Sequence, residues 1–218
     1  MVYFRQNQAS PSSFASHEGR MLNRLITNWV YGGFLAGLLL LLLAPVIVRD
    51  WPSALAATFF SLPVYMLHQY EEHDNDQFRL FVNKLLAKDR EVLSPLAVFI
   101  INVPGVWGVI GVSIWLAATV HIGFGLIAAY LLIVNGTVHL VHALVFRAYN
   151  PGLVTAIGMF LPLGAYSLIA IQRSGGGTLW MHATGAVVAI GIHALIIVHV
   201  FHKRATLQHA DSAESSRR

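Results

Sequence analysis

The run His68-Gln69-Tyr70-Glu71-Glu72-His73 closes an apolar stretch that begins at Trp51. His68 and Glu71 are three residues apart, and His68 and Glu72 are four apart. On a helix all three share a face. Imidazole nitrogen and carboxylate oxygen are the donors that hold zinc and non-haem iron. The chain has no cysteine, so thiolate sites and disulfides are excluded. Ionisable groups at a membrane boundary are costly and are functional candidates by default. The spacing therefore points to a metal site built from nitrogen and oxygen.

Two other segments supply partners. Asn135, His139 and His142 follow a four-then-three spacing, which lines one helix face. His193, His199 and His202 lie further on, with His193 and His199 six apart and diverging around the helix. His193 is the deeper ligand candidate, and His199 and His202 fall nearer the headgroups. The candidate metal ligands are thus His68, Glu71, Glu72, His139, His142, His193 and His199. Glu72 is also the candidate general base, and Asn135 would orient substrate or polarise a carbonyl. His121 and His182 are read as hydrogen-bonding groups near the opposite face. His17 and His209 are read as solvated, and His73 and Asp76 as ordinary loop polars.

The elements that must position these groups are long and apolar. The 218 residues are 56% hydrophobic and 11% charged, against about 25% charged in an ordinary soluble domain. A helical span needs roughly 20 apolar residues. Six runs qualify, over about 29–48, 52–70, 94–118, 122–146, 152–171 and 179–202. They are too long and continuous for barrel strands, so the expected fold is all-α, a polytopic membrane bundle of about six helices. The N-terminal stretch lacks the pattern of a cleaved signal peptide, and the first span is expected to be retained. Gly105, Gly108 and Gly111 suggest close helix packing in span three.

Charge sets the expected orientation. Twelve of the fourteen Lys and Arg residues fall on one side of the six spans, leaving Arg49 and Arg173 on the other. The positive-inside rule then places both termini in the cytoplasm. These basic residues are read as topology signals rather than a nucleic-acid surface. The same topology brings His68, His139 and His193 to one depth, within ~15 Å of the cytoplasmic boundary at the helical rise. Residues 1–28 are expected as a cytoplasmic or interfacial segment, 29–203 as the bundle and 204–218 as a disordered tail. The loop over 73–92 has Phe78, Phe81, Leu85 and Leu86 at helical spacing and is expected to lie along the surface.

His68-x-x-Glu71-Glu72 resembles the signature of the HXXEE family of integral-membrane proteins of unknown function. Phe81-Val82-Asn83, Asn135-x-x-x-His139 and the run Tyr149 to Thr155 extend the resemblance over roughly 30–200. Span six carries His193-x5-His199-x2-His202 where a His-x-x-x-His pair would fit. The resemblance implies a metal-dependent membrane enzyme.

Three chemistries remain open on the sequence. One zinc held by His68, His139 and His193, with or without Glu71, would make a hydrolase with Glu72 as base. Its substrate would be a lipid or apolar ester or amide reached from the cytoplasmic leaflet of a bacterial inner membrane. Two irons held by both glutamates and the histidines would make a hydroxylase-like oxidoreductase. A non-catalytic metal-binding or transport protein is the third. The membrane lipids are expected partners in each, and the divalent cofactor is zinc or iron, one ion or two.

Overall fold

Long uncharged runs become helices because hydrocarbon offers no partner for backbone N–H and C=O groups. The computed structural model describes residues 11–215, with side chains over 19–209, and its regular structure is helical throughout. The helices are α1 (Pro11–Ile47), α2 (Ser53–His73), α3 (Gln77–Ala87), α4 (Pro95–Thr119), α5 (Gly125–Phe146), α6 (Leu153–Arg173) and α7 (Leu179–Ser215).

Five stretches are long and apolar enough to cross a membrane: Gly19–Ile47, Pro95–Thr119, Ile122–Phe146, Leu153–Arg173 and Leu179–His209. The sixth expected span, α2, has the length, with 21 residues. Its last turns carry His68, Gln69, Glu71 and Glu72, which dilute its apolar character. It belongs to the bundle all the same, packed against α1, α4, α5 and α6. The chain is a multi-pass membrane bundle of about six helices, with α3 as a short addition at one end.

Helix α5 is the central member and packs on α2, α4, α6 and α7. The core around it includes Tyr65, Val106, Ile110, Leu131, Leu132 and Phe160, all buried. Alternating helix direction brings the end of α2, the start of α4, the end of α5 and the start of α6 to one side of the bundle. The polar residues of interest gather there.

Two helices are irregular near that side. Helix α4 contains a π-helical stretch, Ile101–Trp107, with Pro104 inside it. Helix α6 contains another, Ala156–Phe160, just before Pro162. Proline lacks an N–H and clashes with the carbonyl four residues back, and a wider turn relieves both problems. The first stretch carries Asn102 and the second carries Phe160, and both side chains reach the site described below.

The turn from α2 into α3 uses left-handed backbone at Asn75 and Asp76 (φ 51° and 62°), a region that Asn and Asp tolerate better than most residues. Arg79 on α3 then bonds Asp76 and Glu91. Asn83 clamps the returning chain: its Oδ1 accepts from the backbone N–H groups of Val92 and Leu93 at 3.1 and 2.9 Å. Phe78, Val82 and Leu86 of α3 pack over the bundle end, whereas Leu85, expected on the same face, is 49% exposed.

Residues 11–28 are continuous with the first span as one helix, and residues 1–10 lie outside the described residues. The segment expected to be a disordered tail continues α7 to Ser215, and residues 216–218 lie outside the described residues. Ala205, Leu207 and Gln208 are good helix formers that let α7 run on. The glycine stripe does not make a close helix contact: a Cβ at Gly108 or Gly111 would meet nothing within 4 Å. Small residues there leave open space beside α4.

Candidate metal centre

His68 and Glu72 stand one turn apart on the inner face of α2, and His139 faces them from α5. Donor atoms of the three lie within 4.8 Å of one another. His68 Nε2 is 3.6 Å from Glu72 Oε2, and His139 Nε2 is 3.6 Å from Glu72 Oε1. All three residues are buried, with exposures of 0%, 6% and 5% for His68, Glu72 and His139. The carboxylate therefore sits between two buried imidazole nitrogens.

The outer ring nitrogens are held by a second set of residues. His68 Nδ1 is 2.8 Å from Thr155 Oγ1, whose hydroxyl donates to Glu71 Oε2 at 2.5 Å. A hydroxyl has one hydrogen to give. With that hydrogen on Glu71, Thr155 accepts from His68, so the proton of His68 is on Nδ1 and Nε2 carries a bare lone pair. His139 is fixed in the same sense. Asn150 Nδ2 donates to the His139 carbonyl at 3.0 Å, which leaves Asn150 Oδ1 to accept from His139 Nδ1 at 2.6 Å. The hydrogen-bond network assigns both tautomers.

That assignment tests whether a metal fits. Two imidazole nitrogens converge on the Glu72 carboxylate, and the His73 ring approaches the same carboxylate from outside, with Nε2 3.2 Å from Oε2. His68 Nε2 is buried and has no hydrogen-bond partner. Buried polar atoms are nearly always satisfied, and mutually repelling lone pairs call for a cation among them. Histidine ligands that donate their other N–H to a carbonyl oxygen or hydroxyl are the usual outer shell of a metal site. The residues His68, Glu72 and His139 fit a divalent metal ion.

Glu71, expected as a ligand, is turned away from this centre. Its oxygens accept from the backbone N–H groups of Val154 and Thr155 at 3.0 and 2.7 Å and from Tyr149 Oη at 3.0 Å. A carboxylate at a helix N-terminus is favoured by the unpaired N–H groups and the helix dipole. Burial and the Glu71 carboxylate raise the Tyr149 hydroxyl above its ordinary range, so it stays protonated as a donor. Glu71 therefore ties α2 to the start of α6 and, through Thr155, orients His68.

The turn before α6 needs glycine at position 152. Its φ is +94°, and a Cβ there would lie 2.8 Å from His68 Cε1 and 2.9 Å from His139 Cε1. The backbone closes against both rings. Phe160 covers His68 from the other side, with ring centroids 4.1 Å apart.

The remaining candidates divide. Asn135, His142 and His193 line a cavity of about 240 Å³ that also reaches Glu72, His73 and His139. Asn135 Nδ2 donates to Tyr65 Oη at 2.9 Å, and its Oδ1 has no partner. His142 lies against Phe81 and Phe146, with neither ring nitrogen bonded. His193 donates Nδ1–H to the Ala189 carbonyl at 2.8 Å. None of these three joins the His68, Glu72 and His139 cluster. His199 is exposed and lines a different cavity. His182 bonds Tyr130 and Gln172 on the neighbouring helices, in keeping with its reading as a hydrogen-bonding group.

Several site residues escaped the spacing argument. His73 is buried, not a loop polar, and its Nε2 lies 3.2 Å from Glu72 Oε2. Its ring packs edge-on to Trp29 and Phe78. Asn150, Gly152 and Thr155 had no assigned role, although they stand within the run Tyr149 to Thr155. Gln69 Nε2 donates to Asn102 Oδ1 at 2.8 Å and its Oε1 accepts from Trp107 Nε1, which binds α2 to the π-helical stretch of α4.

A family model described as a protein of unknown function with HXXEE motif matches residues 59–167, half of the chain. The chain belongs to this family. Its HXXEE motif is His68-Gln69-Tyr70-Glu71-Glu72, and the match also takes in His139, Asn150, Gly152 and Thr155. No curated protein and no solved structure matches the chain. Within the HXXEE run the two glutamates differ in use: Glu72 faces the histidines and Glu71 faces α6. Helix α7 lies beyond the matched residues, and its histidines stand apart from the cluster.

Proposed function

We propose that the protein is a metal-dependent integral-membrane enzyme, a hydrolase acting on a lipid or apolar ester or amide at the cytoplasmic leaflet. The observation that carries this reading is the convergence of His68 Nε2, Glu72 and His139 Nε2 with both outer nitrogens already engaged. Two histidines and a glutamate form a known catalytic zinc set that leaves room for water. A bound divalent ion would supply Lewis acidity and an activated water at neutral pH.

The chain's own groups would do the rest. Glu72 is the charged ligand, and His73 steadies it from the side of Trp29. Asn135 keeps one amide N–H beyond its bond to Tyr65 and faces the cavity, where it would orient a carbonyl. His142 and His193 are the histidines of the cavity wall that stand clear of Glu72, and one of them would take the base role that the sequence assigns to Glu72. The apolar walls exclude water and suit a hydrocarbon substrate. Basic residues crowd this end of the bundle, which supports a cytoplasmic placement by the positive-inside rule and a home in a bacterial inner membrane.

A second reading is an iron oxidoreductase, favoured by one observation: two histidines and one carboxylate also hold non-haem iron. A dinuclear version has less support, since Glu71 is spent on α6 and His199 lines another cavity. The test is turnover of acyl-ester and acyl-amide lipids by purified protein in lipid nanodiscs. The hydrolase reading expects product acid, lost on chelation and in Glu72→Ala. Oxygen consumption with an oxidised lipid and no hydrolysis would replace it with the second reading.

A further inference from the structure

The cavity beside the metal ligands has a neighbour. A second cavity, of about 480 Å³, lies between α4 and α7 and shares Ile101, Ile192 and Ile196 with the first. The two spaces meet at this wall. The backbones of α4 and α7 do not pack closely on one another there. On the outer side the second cavity is lined by Leu96, Ile100 and Leu195, which are 50%, 52% and 71% exposed. Both helices have the length and composition of membrane spans, which turns these exposed apolar residues toward the bilayer in the reading adopted above.

We propose that the acyl chain of a bilayer lipid reaches the site sideways, between α4 and α7, across the shared wall of Ile101, Ile192 and Ile196. This rests on the reading of the inner cavity as a substrate chamber. The inner space alone is below the usual range of roughly 300–1,000 Å³ for a ligand pocket, and the outer space supplies the missing room. Gly105 also lines the outer cavity. The wall is apolar on both sides, so a chain crossing it exchanges one hydrocarbon environment for another. Tail burial then contributes little affinity, and the polar group drawn toward Glu72 and Asn135 must provide it. Ser94 and His199 are the polar members of the outer cavity and mark its rim.

The test uses the full chain in nanodiscs containing a phospholipid with a diazirine on one acyl chain close to its ester. After illumination, adducts are located by mass spectrometry. Val98 and Val106 line the inner cavity and are each 4% exposed, whereas Leu195 faces the lipid. The port predicts adducts on Val98 and Val106 in the wild type. It predicts their loss to near background in Ile196→Trp, with Leu195 adducts kept. Ile196→Ala widens the wall and is expected to raise inner labelling, which decides the matter if the tryptophan variant does not fold. Absence of inner adducts in the wild type, or inner labelling indifferent to both variants, overturns the port. Labelling needs neither metal nor turnover. Protein that labels inside but binds no metal keeps the port and loses the metal reading, and the converse result does the opposite.

Discussion

Glu71 and His68, one turn apart on α2, are connected through the hydroxyl of Thr155 rather than through a shared ligand position. The hydroxyl gives its hydrogen to Glu71 at 2.5 Å and receives the Nδ1 proton of His68 at 2.8 Å. One glutamate of the paired motif thus controls which nitrogen of the histidine is free. The other stands where that nitrogen points.

Thr155→Val removes the hydroxyl and keeps the shape. Outer-shell losses of this kind weaken metal binding by about 10–100-fold. Competition with a chromophoric chelator should show that loss in Thr155→Val and near-normal affinity in Thr155→Ser. Equal affinity in the wild type and Thr155→Val would mean that His68 needs no such partner.

The two glutamates should separate by substitution. Glu72→Gln is expected to abolish metal binding while leaving the fold, because the amide replaces the one charged ligand. Glu71→Gln should still bind metal, more weakly. It should also melt at lower temperature, since a charged partner at a helix N-terminus contributes on the order of 0.3–1 kcal/mol. Metal titration and thermal melting of both variants check the division.

Gly152→Ala meets two obstacles at once. A left-handed backbone at a non-glycine residue costs about 1–3 kcal/mol, and the added carbon would press on both His68 and His139. Lower thermal stability together with lost metal binding is the expected pair of results. Loss of stability with unchanged metal affinity would show that the rings do not depend on this close approach.

Metal removal should destabilise the native bundle alone. A ligand present at about 100 times its dissociation constant stabilises by roughly 2.7 kcal/mol. Stripped protein should therefore melt lower and recover when zinc is returned. His68→Ala should show no zinc-dependent shift, and a shift of wild-type size in that variant would place the metal elsewhere.

Much of this arrangement is legible in the sequence. Runs of apolar residues give the helices, three-and-four spacing brings His68 with Glu72, and depth along the spans brings His139 to their level. Spacing cannot say which way Glu71 points at a helix end, because that depends on what the next helices bring to it. The answer comes from Val154 and Thr155, more than eighty residues away in the chain. His73 follows the same logic, since Trp29 and Phe78 bury it from two other helices. The histidines of span six share the right depth with the cluster, but depth along a helix does not fix direction around it. The tail beyond 204 reads as disordered from its composition, yet its Ala, Leu and Gln residues continue a helix already nucleated by span six.

The most direct measurement is the metal-to-protein ratio of purified protein and four single variants, by elemental analysis. Coordination by His68, Glu72 and His139 predicts about one divalent ion per chain in the wild type, His193→Ala and His199→Ala, and almost none in Glu72→Gln and His139→Ala, as expected of three protein ligands to a single ion. A wild-type preparation without metal under every loading condition would contradict it, as would full retention in Glu72→Gln and His139→Ala.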